Sequence, residues 1–308
     1  MSPVRSPALP LPPPSRPPGR FIRVRGRAVH VVLSGPPNAP VVLLSSGLGG
    51  SWLGWQPVLP LLRGHCRLVS VDRPGLGRSA PAPEPPTLAG RTRWTAEVLD
   101  ALGVGGPVTV VGHSLGGLYA EAFARVLPGR TSAVVLVEAA AEAEVGPPLR
   151  WPGARARMAH TAGEAFRWAG LSQIVAPGLR RLGVRTQSLR GRDQADVGDA
   201  YRGAYGAGHC LTAALVERVL FRDLVAELDA LRHRFAFPPV PLRVVSGPCG
   251  DPRPHRALAA ISPCGTHTAV DGTRHLVPVD RPDAIADAVR AVLAPASPGE
   301  PVSLTPRT

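Results

Sequence analysis

The chain has 308 residues, 44% of them apolar and 19% charged, with 34 glycines and 37 prolines that follow no period. That length suits one large domain or two modest ones, with a core that needs neither disulfide nor metal. The composition excludes the collagenous and disordered classes. The formal net charge is +13, and every one of the 35 basic residues is an arginine, the mark of GC-rich coding. The arginines are scattered along the chain, so solvated surface charge is expected, with neither nucleic acid nor membrane as a partner.

Eight of the first 18 residues are proline. Residues 1–20 therefore read as an extended, disordered leader, without the apolar run of a signal peptide. Residues 21–34 alternate around Gly26 as two antiparallel strands would. Residues 41–45 form a continuous apolar run, as in a strand buried on both faces, and 51–62 look helical. The uncharged stretch 41–62 is long enough to cross a bilayer. Gly47, Gly49, Gly50, Gly54, Pro57 and Pro60 interrupt it, so strand, loop and helix is the better reading.

Strands are expected at 67–71, 108–111 and 133–137, and helices at 88–102 and 115–126. This alternation with short glycine-containing turns predicts an α/β fold, a mostly parallel sheet flanked by helices. Residues 140–237 contain no buried-strand run and read as helices, at 154–168 and 211–231. The sheet pattern returns at 242–246, followed by a helix at 254–261, a strand at 266–270 and a helix at 282–293. Residues 21–139 and 238–295 thus make one α/β core, with 140–237 inserted as a helical cap and 296–308 as a flexible tail. A cytoplasmic protein is expected.

Cys66, Cys210, Cys249 and Cys264 form no C-x-x-C pair, and no histidine stands at zinc-finger spacing. Free thiols in a reducing compartment are expected, with a Cys249–Cys264 disulfide as the alternative. No metal-ligand cluster or dinucleotide fingerprint occurs, so no metal or cofactor is expected.

The chemistry concentrates at Gly112-His113-Ser114-Leu115-Gly116, which follows a strand and opens a helix. This is G-x-S-x-G in the setting of a nucleophile elbow. A sharp strand-to-helix turn projects the serine hydroxyl. The residues two before and two after must be small for the chains to approach. Leu115 then offers its backbone N–H at the start of the helix, where donors have no intrahelical partner.

Other motifs follow in order. Ser45-Ser46-Gly47-Leu48-Gly49-Gly50 ends the third strand, and Asp72-Arg73-Pro74-Gly75-Leu76-Gly77-Arg78-Ser79 the fourth. Gly247 to Asp251 ends a late strand, and His275 stands in Thr273-Arg274-His275-Leu276-Val277-Pro278 before the last helix. Over residues 21–295 this ordered set resembles the α/β-hydrolase superfamily, in its branch with a helical cap.

The resemblance implies a serine hydrolase that cleaves a small carboxylic ester or lactone through an acyl-enzyme. Ser114 would be the nucleophile and His275 its base, because a serine hydroxyl needs a base and an imidazole suits that task. Asp251 is the expected acid, with Glu138 as the alternative. The N–H groups of Leu48 and Leu115 would form the oxyanion hole. Ser46, Gly47, His113 and Val277 would border the substrate pocket, and His113 and His267 would be structural. Ser46 stands where the family more often has histidine, a variant similar to enol-lactonases. Some of Trp151, Met158, Phe166, Trp168, Tyr201, Tyr205 and Phe221 would line the cap side. Relatives that open epoxides or remove halide use an aspartate nucleophile, which the serine at 114 disfavours. Thioester, C–C bond cleavage and perhydrolysis remain open on the same apparatus, as does a non-catalytic binding role.

Overall fold

Runs of valine and leucine that cannot expose either face build the centre of the molecule. The computed structural model describes residues 18–139, 146–190, 203–248 and 252–294. Eight strands form one sheet: β1 (Arg20–Val24), β2 (Arg27–Ser34), β3 (Val41–Ser45), β4 (Arg67–Val71), β5 (Val108–His113), β6 (Thr131–Val137), β7 (Leu242–Ser246) and β8 (Gly265–Ala269). Their order is β1-β2-β4-β3-β5-β6-β7-β8. β1–β2 and β2–β4 pair antiparallel, and every later pair is parallel.

Successive side chains of a strand point to opposite faces, and the two cores divide accordingly. Leu43, Val110, Val134 and Val244 pack on one face with Val98, Leu99 and Phe123. Their neighbours Leu44, Val111, Val135 and Val245 pack on the other with Ile285 and Val289. The first face is covered by α2 (Leu88–Ala101) and α3 (Leu115–Val126). The second is covered by α1 (Leu59–Leu62) and, near the carboxyl end, by a long helix named below.

The 51–62 segment is not one helix. It is a 3-10 turn, Trp52–Trp55, followed by the single turn of α1. Gly54 and the prolines at 57 and 60 account for the break, since proline supplies no N–H and glycine loosens the turn.

Between β6 and β7 come α4 (Pro152–Trp168), α5 (Ser172–Gln187) and α6 (Gly208–Arg234). α4 lays Ala156, Ala159 and Gly163 against α6, near Val216 and Leu220. α5 has no counterpart in the sequence reading. Pro177 lies inside it, with Gly178 and Gly183 nearby, and these mask its period. The chain closes with α7 (Arg253–Ala259), the short α8 (Val277–Asp280) and α9 (Pro282–Leu293), the helix that covers the second face.

Cys66, Cys210 and Cys264 are free thiols, and Cys249 lies outside the described residues. Among the described residues no helix is long and apolar enough to cross a membrane. No group of three histidine, cysteine or carboxylate side chains among them could hold a metal ion.

Asp72 locks the turn after β4. Its buried carboxylate accepts from Trp52 N–H at 2.8 Å, Arg78 N–H at 3.1 Å and His30 Nδ1 at 2.8 Å. A Cβ at position 77 would overlap that carboxylate, and Gly77 has φ +54°, so glycine is required twice over. Asp72→Ala leaves three buried donors without a partner and is expected to cost about 3–5 kcal/mol. Urea unfolding of the variant against the parent protein measures the loss.

Candidate active site

Four non-glycine residues among those described have positive φ, and two of them end adjacent strands. Ser114 follows β5 with φ 52° and ψ −122°, and Glu138 follows β6 with φ 45°. Such conformations cost of order 1–3 kcal/mol each and persist only where the surroundings enforce them. Here the sheet enforces both. Ser114 N–H donates to Val137 O at 2.9 Å, and Glu138 N–H donates to Val245 O at 2.9 Å.

The turn at Ser114 is made possible by close backbone approach. A Cβ at Gly112 would overlap the Gly116 carbonyl, and one at Gly116 would overlap the Ser45 carbonyl. α3 therefore starts directly above β3 and β5. Leu115 occupies its first position, where an N–H has no intrahelical acceptor. Gly47 lies against the turn, since a Cβ there would come within 3.3 Å of Ser114 Cβ and 2.9 Å of His113 Nδ1. The loop carrying Leu48 thus abuts the serine.

His275 Nδ1 lies 3.3 Å from Glu138 Oε2, and Gly247 N–H donates to Glu138 Oε1 at 2.5 Å. Burial pushes the Glu138 carboxyl up, but the bonds from His275 and Gly247 outweigh it and hold the group below its ordinary value. It is a carboxylate at neutral pH, bonded to the imidazole. Asp251, the acid favoured from the sequence, lies outside the described residues.

The ring of His275 packs 5.0 Å from that of His113, centroid to centroid. His113 Nε2 donates to His275 O at 2.8 Å, which makes it the Nε2–H tautomer and pins the backbone of the histidine loop. Burial, with the nearby His275 charge, pushes the His113 imidazole down to about 3.

Ser46, Gly47 and His113 border a cleft of about 20 Å³, completed by Trp55, Leu276 and Val279 among others. Val277 is not at this cleft. It is fully buried with Val111, Val245 and Ile285, because the turn into α8 points it down into the core. Ser46 is itself buried and donates to Ser51 O at 2.8 Å, so it braces the loop from beneath. His267 lies in β8, 2.9 Å from Ser246 Oγ.

Of the aromatic residues expected to face the pocket, Tyr205 is buried and Phe221 packs beside Leu115 and Leu118. Trp151, Met158, Phe166 and Trp168 face outward and are exposed. The buried face of α4 is taken by alanines and glycine packed on α6, which leaves the large side chains outside. Tyr201 lies outside the described residues.

Three residues that sequence reasoning passed over hold the site together. Arg73, buried, donates to Ser46 O at 2.5 Å and Gly47 O at 2.8 Å, and pairs with Glu217 of α6 at 2.8 Å. Glu217 also accepts from Gly49 N–H at 2.9 Å. The long helix α6 is thereby bonded to the loop beside Ser114. The available signal was a carboxylate within the apolar run Leu215, Val216, Val219, Leu220. Asp280, also buried, accepts from Ser188 Oγ at 2.5 Å, Leu189 N–H and Arg190 N–H at 2.9 Å, and Arg274 N–H at 3.0 Å. It ties the end of α5 to the histidine loop.

A family model described as "Alpha/beta hydrolase family" matches residues 41–288. The chain belongs to the α/β hydrolase family. Among curated relatives, a "Putative carbamate hydrolase RutD" of Variovorax paradoxus is 40% identical over 113 residues, 36% of this chain and 42% of that protein. The RutD protein of Agrobacterium fabrum is 36% identical over 109 residues, 35% of this chain and 41% of its own. The chain therefore spans about two fifths of the length of these relatives. Solved α/β folds align over far more. A Thermogutta terrifontis esterase has TM-score 0.65 at 21% identity, covering 89% of this chain and 97% of that one. The Burkholderia xenovorans enol-lactonase has TM-score 0.64 at 24% identity, covering 89% and 99%.

His113 makes a pH prediction. The unfolded imidazole binds a proton near pH 6.5, whereas the folded one binds only at about 3. Its contribution is therefore full above pH 6.5 and lost as the pH falls. Unfolding free energy is expected to drop through this interval by up to ~1.4 kcal/mol per pH unit from this group. His113→Gln is expected to flatten that part of the slope, as read from urea unfolding between about pH 7 and about pH 4.

Proposed function

We propose that the chain is a serine hydrolase that cleaves a small carboxylic ester or lactone through an acyl-enzyme. The observation that carries the reading is Ser114 on its strained turn, next to a histidine loop whose imidazole is bonded to a half-buried carboxylate. Ser114 Oγ attacks the substrate carbonyl carbon, and His275 Nε2 takes its proton. The imidazolium is held at Nδ1 by the Glu138 carboxylate and returns the proton to the departing alkoxide. Water, deprotonated by the same imidazole, then releases the acid and frees Ser114.

Negative charge on the substrate oxygen is met by the N–H groups of Leu115 and Leu48. Each such donor is worth roughly 2.7–4 kcal/mol in the transition state. Glu138 takes the role of acid in this reading, on the strength of its bond to His275, and Asp251 becomes the alternative. The mechanism needs no cofactor. The cleft beside Ser46 and His113 has room for about one water, whereas the His275 side chain, 38% exposed, is open to a substrate from solvent.

A second reading, hydrolysis of a carbamate by the same groups, is favoured by the names of the partial relatives. Substrate screening with short esters, lactones and carbamates separates the two.

A fluorophosphonate probe with peptide mass spectrometry tests the proposal. Labelling is expected at Ser114, and lost in Ser114→Ala and His275→Ala. A folded protein that takes no label overturns the reading. Glu138→Gln is expected to lower kcat by about 10²–10⁴ while Asp251→Asn has little effect, and the reverse pattern reassigns the acid. Glu217→Gln weakens the grip on the loop at Gly49 and is expected to lower kcat by about tenfold with little change in KM.

A further inference from the structure

Twelve large apolar side chains are exposed among the described residues, and ten of them lie between residues 149 and 189. They cover the outer face of the cap. On α4, the stripe Ala156, Ala159 and Gly163 is buried on α6, while Met158 and Trp168 face away from it at 72% and 81% exposure. α5 is inverted more completely. It buries only Ser172, Pro177 and Val184 and exposes Ile174, Leu179 and Leu182.

The charge on this surface has one sign. Residues 146–190 contain eight arginines and a single carboxylate, Glu164. Glu164 is occupied by Arg167 at 2.6 Å. Arg157, Arg185 and Arg190 are exposed beside the apolar side chains. Both exposed tryptophans carry a stacked guanidinium: Arg150 lies 5.2 Å from the Trp151 ring centre, and Arg167 lies 4.9 Å from that of Trp168.

We propose that the outer face of α4 and α5 docks on an anionic lipid bilayer surface. Aliphatic and indole side chains would enter the headgroup boundary, and arginines would pair with lipid phosphates. Tryptophan favours that boundary because its ring is apolar and its N–H polar. Exposed methionine, isoleucine and leucine on α4 and α5 argue against a nucleic acid, whose phosphate surface offers them nothing. A protein that lies on the bilayer needs no membrane-spanning helix. The charge argues for a membrane partner that the sequence reading did not expect, because arginines outnumber carboxylates eight to one within residues 146–190. The inference stands independently of the chemistry at Ser114.

The full chain is tested by co-sedimentation with vesicles of phosphatidylglycerol and, separately, of phosphatidylcholine. Tryptophan emission is read in parallel. Binding is expected to phosphatidylglycerol only, with a blue shift from Trp151 and Trp168, since Trp52 and Trp55 are already buried and Trp94 packs against the core. Raising sodium chloride to about 0.5 M is expected to weaken binding by about tenfold or more. Two variants separate the contributions: Ile174→Ser with Leu182→Ser removes apolar contact, and Arg157→Glu with Arg185→Glu reverses charge. Each is expected to lose binding by at least about tenfold at an unchanged melting temperature.

Four results overturn the proposal. One is no binding to phosphatidylglycerol, and another is equal binding to both vesicles. The third is a dimer in sedimentation equilibrium that Ile174→Ser with Leu182→Ser returns to monomer, which assigns the face to a second copy. Retention on DNA that the apolar variant leaves intact assigns it to nucleic acid and overturns the proposal equally.

Discussion

The buried pair between Arg73 and Glu217 joins parts of the molecule that lie 144 positions apart in the chain. Arg73 comes from the turn after β4 and Glu217 from the middle of α6, and both are 4% exposed. Burial works against the charge on Arg73, and Glu217 more than restores it, so the guanidinium is pushed above its ordinary value. A buried pair is seldom the most stable solution, because desolvation offsets much of the attraction. What this pair provides is direction. Its remaining hydrogen-bonding capacity is spent on Ser46 O, Gly47 O and Gly49 N–H, which are the backbone of one loop. An apolar replacement could fill the volume and would leave that backbone without partners.

The same logic applies on the other side of the turn at Ser114. Two residues with positive φ stand at the ends of β5 and β6, and each gives its N–H to the next strand. Parallel strands supply such acceptors at a fixed spacing, so the sheet holds both residues at once. His113 then bonds the backbone of His275 from below, and Asp280 gathers donors from the histidine loop and the end of α5. The loops around the cleft are thus held by buried polar groups whose partners lie far away in sequence. A loop held in this way keeps its geometry with few contacts of its own.

That distance explains what could be read from sequence. Strands such as β3, β4 and β7 were legible because valine and leucine runs between turn residues have few other homes. The elbow was legible because Gly112 and Gly116 are close-approach glycines at a fixed offset from Ser114. The carboxylate partner of His275 was harder. The ends of β6 and β7 are adjacent, and the resemblance to the family favoured Asp251, after β7, over Glu138, after β6. The bond from Glu138 to His275 appears only when β5, β6 and β7 lie side by side. Glu217 was hidden in the period of a long helix. α5 was hidden because its large side chains lie on the wrong side for a helix packed on a core.

The inverted helix and the arginines carry one argument together. GC-rich coding explains why the basic residues are arginine and not lysine. It does not explain where the acidic residues are missing. More than half of the formal net charge of +13 arises in residues 146–190, under a sixth of the chain, because that segment keeps only Glu164. Coding bias acts on every stretch alike and would leave carboxylates there as it does elsewhere. Nor does it place Ile174 and Leu182 toward water while Ser172 is buried. An apolar surface that also repels its own kind through like charge is a poor contact for a second copy of the same chain. It is a good contact for a surface of opposite charge with an apolar interior, and that combination describes an anionic bilayer better than any protein face of uniform polarity.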